Sequence, residues 1–164
     1  MDTKKYLLKA AEIEQMPGKQ KTHFLNSNAI RLNKSLGDAV GLNHIGVHLI
    51  YVQPGHDTTE YHKHLYEEEC IYVVSGKGLL IIEGDRYILE PGDFVGLPRN
   101  EVAHTVINES NEILVCLVMG QRLEQDIAVY PNAKKKLYRN SGVWELFDLE
   151  AIQAISPTLP KVKT

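Results

Sequence analysis

His62 and His64 stand two residues apart in the stretch YHKHLYEEECIYVVSG, just ahead of three consecutive glutamates, Glu67, Glu68 and Glu69. In an extended strand alternate side chains share a face, so the two imidazoles project together, about 6.6 Å apart along the chain, while Lys63 points away. Glu69 follows His64 by an odd number of positions and would face the other way if the strand ran on. Residues 65–68 must therefore turn the chain, and Glu69 opens the next strand with Ile71 and Val73 on its face. Farther on, the run HTVIN brings His104, with Val106 and Asn108 on one face. Three neutral imidazoles and one carboxylate suit a divalent transition metal, whereas calcium and magnesium want oxygen ligands. A single histidine would be read as an ordinary hydrogen-bonded polar residue. The paired histidines, a phased glutamate and a distant third histidine, in a chain with seven histidines, argue for a metal.

Other polar residues crowd the same region. Glu60 is in phase with His62 and His64; it is either a solvated strand-end carboxylate or the catalytic residue, a general base or a hydrogen-bond partner for a substrate hydroxyl. Glu67 and Glu68 belong to the connecting turn and are expected to be solvated. His48, in GVHLIYV, alternates with Val47 and Leu49, so it lines either the pocket or an outer sheet face. His56 sits in the polar loop GHDTTE and should be exposed, and nothing in their surroundings recommends His23 or His44. Tyr51, Tyr61, Tyr72 and Phe94 read as core or interface aromatics.

The elements that must position these groups are short strands. From Gly46 to Gly120, apolar runs of five to eight residues rich in Val, Ile and Tyr alternate with turn signals such as Pro54-Gly55, Gly76-Lys77-Gly78, Glu83-Gly84-Asp85 and Pro91-Gly92-Asp93. That rhythm predicts an all-β sandwich or barrel. The first 45 residues should form strands and irregular wrapping. Near the other end, DLEAIQAI predicts a short helix with Asp148 as N-cap and Pro157 as its stop. The tail from Tyr130 onward, with the single tryptophan Trp144, is too poor in apolar residues for a second core and should wrap the barrel, a partner subunit or the pocket mouth.

At 164 residues, 43% hydrophobic and 24% charged, the chain has the size of one globular domain, burying roughly 70% of its unfolded surface. The formal net charge of −3 argues against a nucleic-acid surface, and the one basic run, Lys134-Lys135-Lys136, reads as a solvated face. No run approaches the ~20 apolar residues of a membrane span and the N-terminus lacks a signal-peptide core, so no membrane partner and a cytoplasmic location are expected. Cys70 and Cys116 lie in apolar runs with no CxxC spacing and read as free thiols.

At the ligand residues the sequence resembles the cupin superfamily. Its first motif appears as Gly55, His62, His64, Glu69 and Gly76, and its second as Gly92, Pro98, His104 and Asn108. One extra residue separates Gly55 from His62, and Asn100 stands where the second motif has its inner glycine. The resemblance covers about residues 44–120. It implies a single cupin domain over 1–164, an all-β double-stranded β-helix or jelly-roll barrel with its core at about 44–120. Residues 1–43 would be an irregular wrapping segment, and 121–164 a wrapping extension with the short helix. It implies one divalent transition metal, iron, manganese, zinc or nickel, held by His62, His64, Glu69 and His104, and a homodimer. Asn108 would make a structural amide hydrogen bond near the site. The superfamily runs several chemistries, so function must come from the site. The expectation is an enzyme on a small polar molecule, a sugar-phosphate-type isomerase or epimerase or a metal-dependent oxygenase with a small-molecule substrate. The competing readings are a non-catalytic binding or sensing module and a metal-stabilised structural oligomer.

Overall fold

A computed structural model of the chain describes residues 6–156. A short helix α1 (Ala10–Gln15) leads into the hairpin of β1 (Lys19–His23) and β2 (Asn26–Ser35), followed by one helical turn, α2 (Leu36–Ala39). Then come β3 (Ile45–Val52), β4 (Lys63–His64), β5 (Glu69–Ser75), β6 (Gly78–Ile82), β7 (Asp85–Leu89), β8 (Phe94–Leu97), β9 (His104–Ile107) and β10 (Leu114–Gln121). The C-terminal part adds β11 (Gln125–Tyr130), β12 (Lys135–Asn140), β13 (Val143–Asp148) and a 3₁₀ turn at Leu149–Ala151.

The strands form three sheets, ordered β1-β2-β3-β10-β5-β8, β7-β6-β9 and β13-β12-β11-β4. The alternating runs of the sequence place one residue in two on the inner face, and the first two sheets close on each other there. Val52, Val73, Val106, Leu114 and Cys116 are fully buried between them, with Ile50, Ile71, Leu80 and Leu97 around them. This is the all-β architecture that the strand rhythm predicts, in the jelly-roll form that the resemblance implies. A smaller cluster, Ala128, Tyr130 and Leu137, joins the third sheet to Leu25 of the N-terminal hairpin.

The ends are more ordered than the sequence suggests. The N-terminal segment is fixed by Lys34, whose buried ammonium donates to the carbonyls of Ile13 and Glu14 at the C-terminal end of α1 and lies over the Tyr51 ring. The tail forms three strands instead of loose wrapping, and the C-terminal helix is a single 3₁₀ turn. Asp148 makes no side-chain cap there; it ends β13 and pairs with Lys135 across the hairpin. Pro157 lies outside the described residues. Both cysteines are free thiols. Among the described residues, no helix is long and apolar enough to cross a membrane.

Candidate metal centre

His62 and His104 face each other as an isolated antiparallel bridge, exchanging both backbone hydrogen bonds at 3.1 and 2.8 Å. Two residues on, β4 pairs with β11, so His64 sits beside Ala128. Glu69 opens β5 opposite Gly120 of β10, where no side chain competes for its space. Strand pairing thus brings the first motif, the second motif and the C-terminal extension to one point. Donor atoms of His62, Glu69 and His104 all lie within 4.8 Å of one another. His64 Nε2 joins them at 3.2 Å from His62 Nε2.

The tautomers follow from what holds each ring. His62 Nδ1 donates to the carbonyl of Glu60 at 2.8 Å, and His64 Nδ1 donates to Asp126 Oδ2 at 2.5 Å. With both rings neutral, each presents an Nε2 lone pair, and the two face each other at hydrogen-bond distance, so either a proton on His64 or a metal ion must lie between them. Such an arrangement asks for a cation. His104 Nε2 lies 3.8 Å from Glu69 Oε2, and its buried Nδ1 has no hydrogen-bond partner among the described residues. The donor set of three imidazoles and a carboxylate fits a divalent transition metal.

Electrostatics agree. Burial and then the neighbouring imidazoles of His104 and His64 hold His62 down at about 3, so it is neutral and free to ligate. Burial alone would raise the Glu69 carboxyl, but the three imidazoles, His104 foremost, keep it at about 2 and charged. Burial likewise lowers His64, but the Asp126 carboxylate more than reverses this, favouring on His64 a proton that a bound metal would displace.

Behind His64 lies a second cluster, His64, Glu67 and Asp126. Its cation is already present: the Arg139 guanidinium donates to Glu67 and stands 3.9 Å from Asp126 Oδ2. Asp126 also accepts from the backbone amides of Tyr66 and Glu67. Glu67, expected to be solvated, is 6% exposed and accepts from the Leu123 amide as well. The cluster is an ion-pair network that orients His64 from outside, the carboxylate–histidine arrangement that raises ligand basicity. Asp126 and Arg139 escaped sequence reasoning because neither belongs to a motif and both lie far from His64 along the chain.

The structure brings together His62, His64, Glu69 and His104, and leaves the carboxyl of Glu60 aside. That carboxyl is not part of the cavity lining. Burial raises it and the Asn26 amide bonds to it. Glu60 serves the centre through its backbone carbonyl. His48 lines the cavity, which settles its alternative faces, and so does His23, which the sequence did not recommend. Asn108 is fully buried, donates to the carbonyls of Val52 and Glu112, and accepts from Ser110, clamping the end of β9 to that of β3.

The four ligands lie in a cavity of about 480 Å³, within the range of small-molecule sites. A larger one of about 760 Å³ lies behind Asp126 and Arg139, between Tyr66, Leu123, Tyr138 and Phe147; Asp126, its member of the second cluster, stands beside the Arg139 guanidinium.

The chain matches the model of the cupin domain over residues 48–120. The crystal structure of a provisionally assigned sugar phosphate isomerase from Acidithiobacillus ferrooxidans is 56% identical to it, with a TM-score of 0.93 over 95% of this chain and 100% of that one. A sugar phosphate isomerase of the cupin superfamily from Silicibacter pomeroyi shares 23% identity and a TM-score of 0.72, over 87% of this chain and 88% of its own. A protein from Thermotoga maritima, assigned on prediction as an oxalate decarboxylase, shares 19% identity and a TM-score of 0.57, over 68% of this chain and 96% of its own. At these two lower identities the likeness is one of fold. No curated protein matches. With both motifs converging on one centre, and a relative alike over its whole length, the chain belongs to the cupin superfamily.

Proposed function

We propose that the protein is a metal-dependent isomerase of a sugar phosphate. The facing Nε2 lone pairs of His62 and His64 carry the metal part of this reading, and the relative that is 56% identical supports the reaction class. His62, His64, Glu69 and His104 would hold the ion, which when bound polarises a substrate carbonyl or hydroxyl as a Lewis acid.

The remaining groups of the cavity are suited to holding an oxygen-rich molecule. Tyr130 is stacked on His62, its ring centroid 5.8 Å away, and burial pushes its phenol up to about 12, so it stays protonated. His23 packs against Tyr130, and burial, followed by the charge of Arg31, holds it at about 4, so it too is neutral. Its Nδ1 accepts from the Leu25 amide, which leaves an Nε2–H as donor. These rings exclude water on one side of the centre while offering hydrogen bonds that carry no charge.

The test is direct. Protein loaded in turn with manganese, iron, cobalt, nickel or zinc is incubated in D₂O with aldose and ketose phosphates of three to seven carbons and followed by NMR. Aldose–ketose interconversion with some metal, abolished by His64→Ala, is the expected result. No interconversion of any of these with any metal overturns the isomerase.

A further inference from the structure

Away from the ligands, the cavity wall is built by the N-terminal hairpin, outside the stretch that matches the cupin domain. Lys21 of β1 and Arg31 of β2 are register partners across this antiparallel pair, so their side chains leave the same face, and both line the cavity. Like charges set directly opposite each other destabilise a strand pair. The wall also holds Arg122 and Arg139, and each of these is matched: Arg122 with Asp38, Arg139 with Glu67. Among the described residues, neither Lys21 nor Arg31 has a carboxylate within ion-pair distance.

Arg31 is half-buried and donates to the carbonyl of Thr58, which fixes the guanidinium without neutralising it. Burial lowers its pKa, and the one acidic group acting on it is Glu69, whose charge would be committed to a metal. Lys21 is lowered by burial and then by Arg31 itself, opposed only by the weaker effect of Asp38, which is paired with Arg122. Arg31, half-buried and without a carboxylate partner, is costly to hold beside the like charge of the exposed Lys21, and an anion between the two would offset that cost. An arginine fork beside a lysine is well matched to a phosphoryl group.

We propose that Lys21 and Arg31 form an anion subsite that takes the phosphoryl group of the substrate, so that the sugar end reaches the centre of His62, His64, Glu69 and His104. The identity of the anion as a sugar phosphate rests on the isomerase reading; the subsite itself rests on the hairpin.

Calorimetric titration of the metal-loaded protein with inorganic phosphate tests it, with metal content checked in each variant. Phosphate should bind, and Arg31→Gln and Lys21→Gln should each weaken it roughly 10- to 100-fold, the usual worth of one charge-assisted hydrogen bond. Arg31→Lys should recover part of the loss, and Lys77→Gln, which removes a positive charge outside the cavity, should change nothing. Lys21 is exposed, so its variant carries the test if Arg31→Gln does not fold. Phosphate affinity indifferent to both substitutions, or phosphate held through the metal alone, overturns the subsite. The two readings fail separately. Phosphate binding that depends on Lys21 and Arg31 without turnover of any sugar phosphate leaves the subsite standing and sinks the isomerase. Turnover whose KM ignores both substitutions does the reverse.

Discussion

Each imidazole of the paired motif is held from behind, by a different kind of group. His62 leans on the carbonyl of Glu60, two residues before it in the chain, whereas His64 leans on Asp126, 62 residues away. Removing a carboxylate that orients a ligating histidine usually costs 10- to 100-fold in metal affinity. Asp126→Asn should therefore lower affinity by about that factor in a competition titration with a chelator, while His62→Ala and His104→Ala should strip most of the ion, expected at about one per chain. Glu60→Gln should leave metal content unchanged, because its contact is through the backbone; loss of metal in that variant would show that the carboxyl takes part. His23 gives a pH dependence. Its folded value of about 4 lies below the usual 6.5, so its neutral form favours the fold above pH 6.5, and this contribution is lost as pH falls from 6.5 towards 4. The urea midpoint of chelated protein should drop between pH 7 and 5, and drop less in His23→Phe; equal drops would contradict the assignment.

The loops between strands are where small departures from the motif are absorbed. Asn100 replaces the inner glycine of the second motif and adopts φ +58°, a left-handed conformation that asparagine tolerates better than other non-glycine residues; its amide donates to the His64 carbonyl at 2.7 Å. Gly76 has no such latitude. It sits at φ +77°, and a Cβ there would lie 2.3 Å from the carbonyl oxygen of Ile113. Asn100→Gly should accordingly change stability by less than about 0.5 kcal/mol, Asn100→Ala should cost about 1 kcal/mol, and Gly76→Ala about 2 kcal/mol or more, read from urea midpoints. The core strands were legible because their apolar alternation and turn residues are local signals. The four candidate ligands were legible from two sources: strand phase put His62 and His64 on one face, and the two motifs added Glu69 and His104, which the structure brings to the same point. The strands of the tail were not: β12 and β13, KKLYRN and VWELFD, show no clean alternation because the third sheet is exposed on much of its surface, including all of β13. Glu67 misled for the opposite reason, since its three-glutamate context reads as solvated and only Arg139, 72 residues on, reveals that it is buried.

At the scale of the whole molecule the question is what covers the apolar surface left outside. On the outer face of the six-stranded sheet, Tyr72 of β5 and Phe94 of the edge strand β8 are cross-strand partners, 42% and 64% exposed, with Val74 nearby at 47%. Ile88 and Tyr87 of β7 are also exposed. Clustered aromatics on an uncapped sheet edge are what an interface uses and what a lone soluble chain avoids. Core packing does not need them, because the inner face is already filled by Val73, Val95 and Leu97 on the same strands. The prediction is a homodimer that buries the β5–β8 face by two-fold self-complementarity. Light scattering at micromolar concentration should give twice the chain mass, and Phe94→Lys combined with Tyr72→Glu should give a monomer. Metal affinity should survive in that monomer, because Phe94 and Tyr72 point away from the ligand cavity. A wild-type chain that scatters as a monomer would refute the dimer, and a dimer indifferent to the double substitution would move the interface elsewhere, with the exposed Trp144 and Phe147 of β13 as the next apolar surface to test.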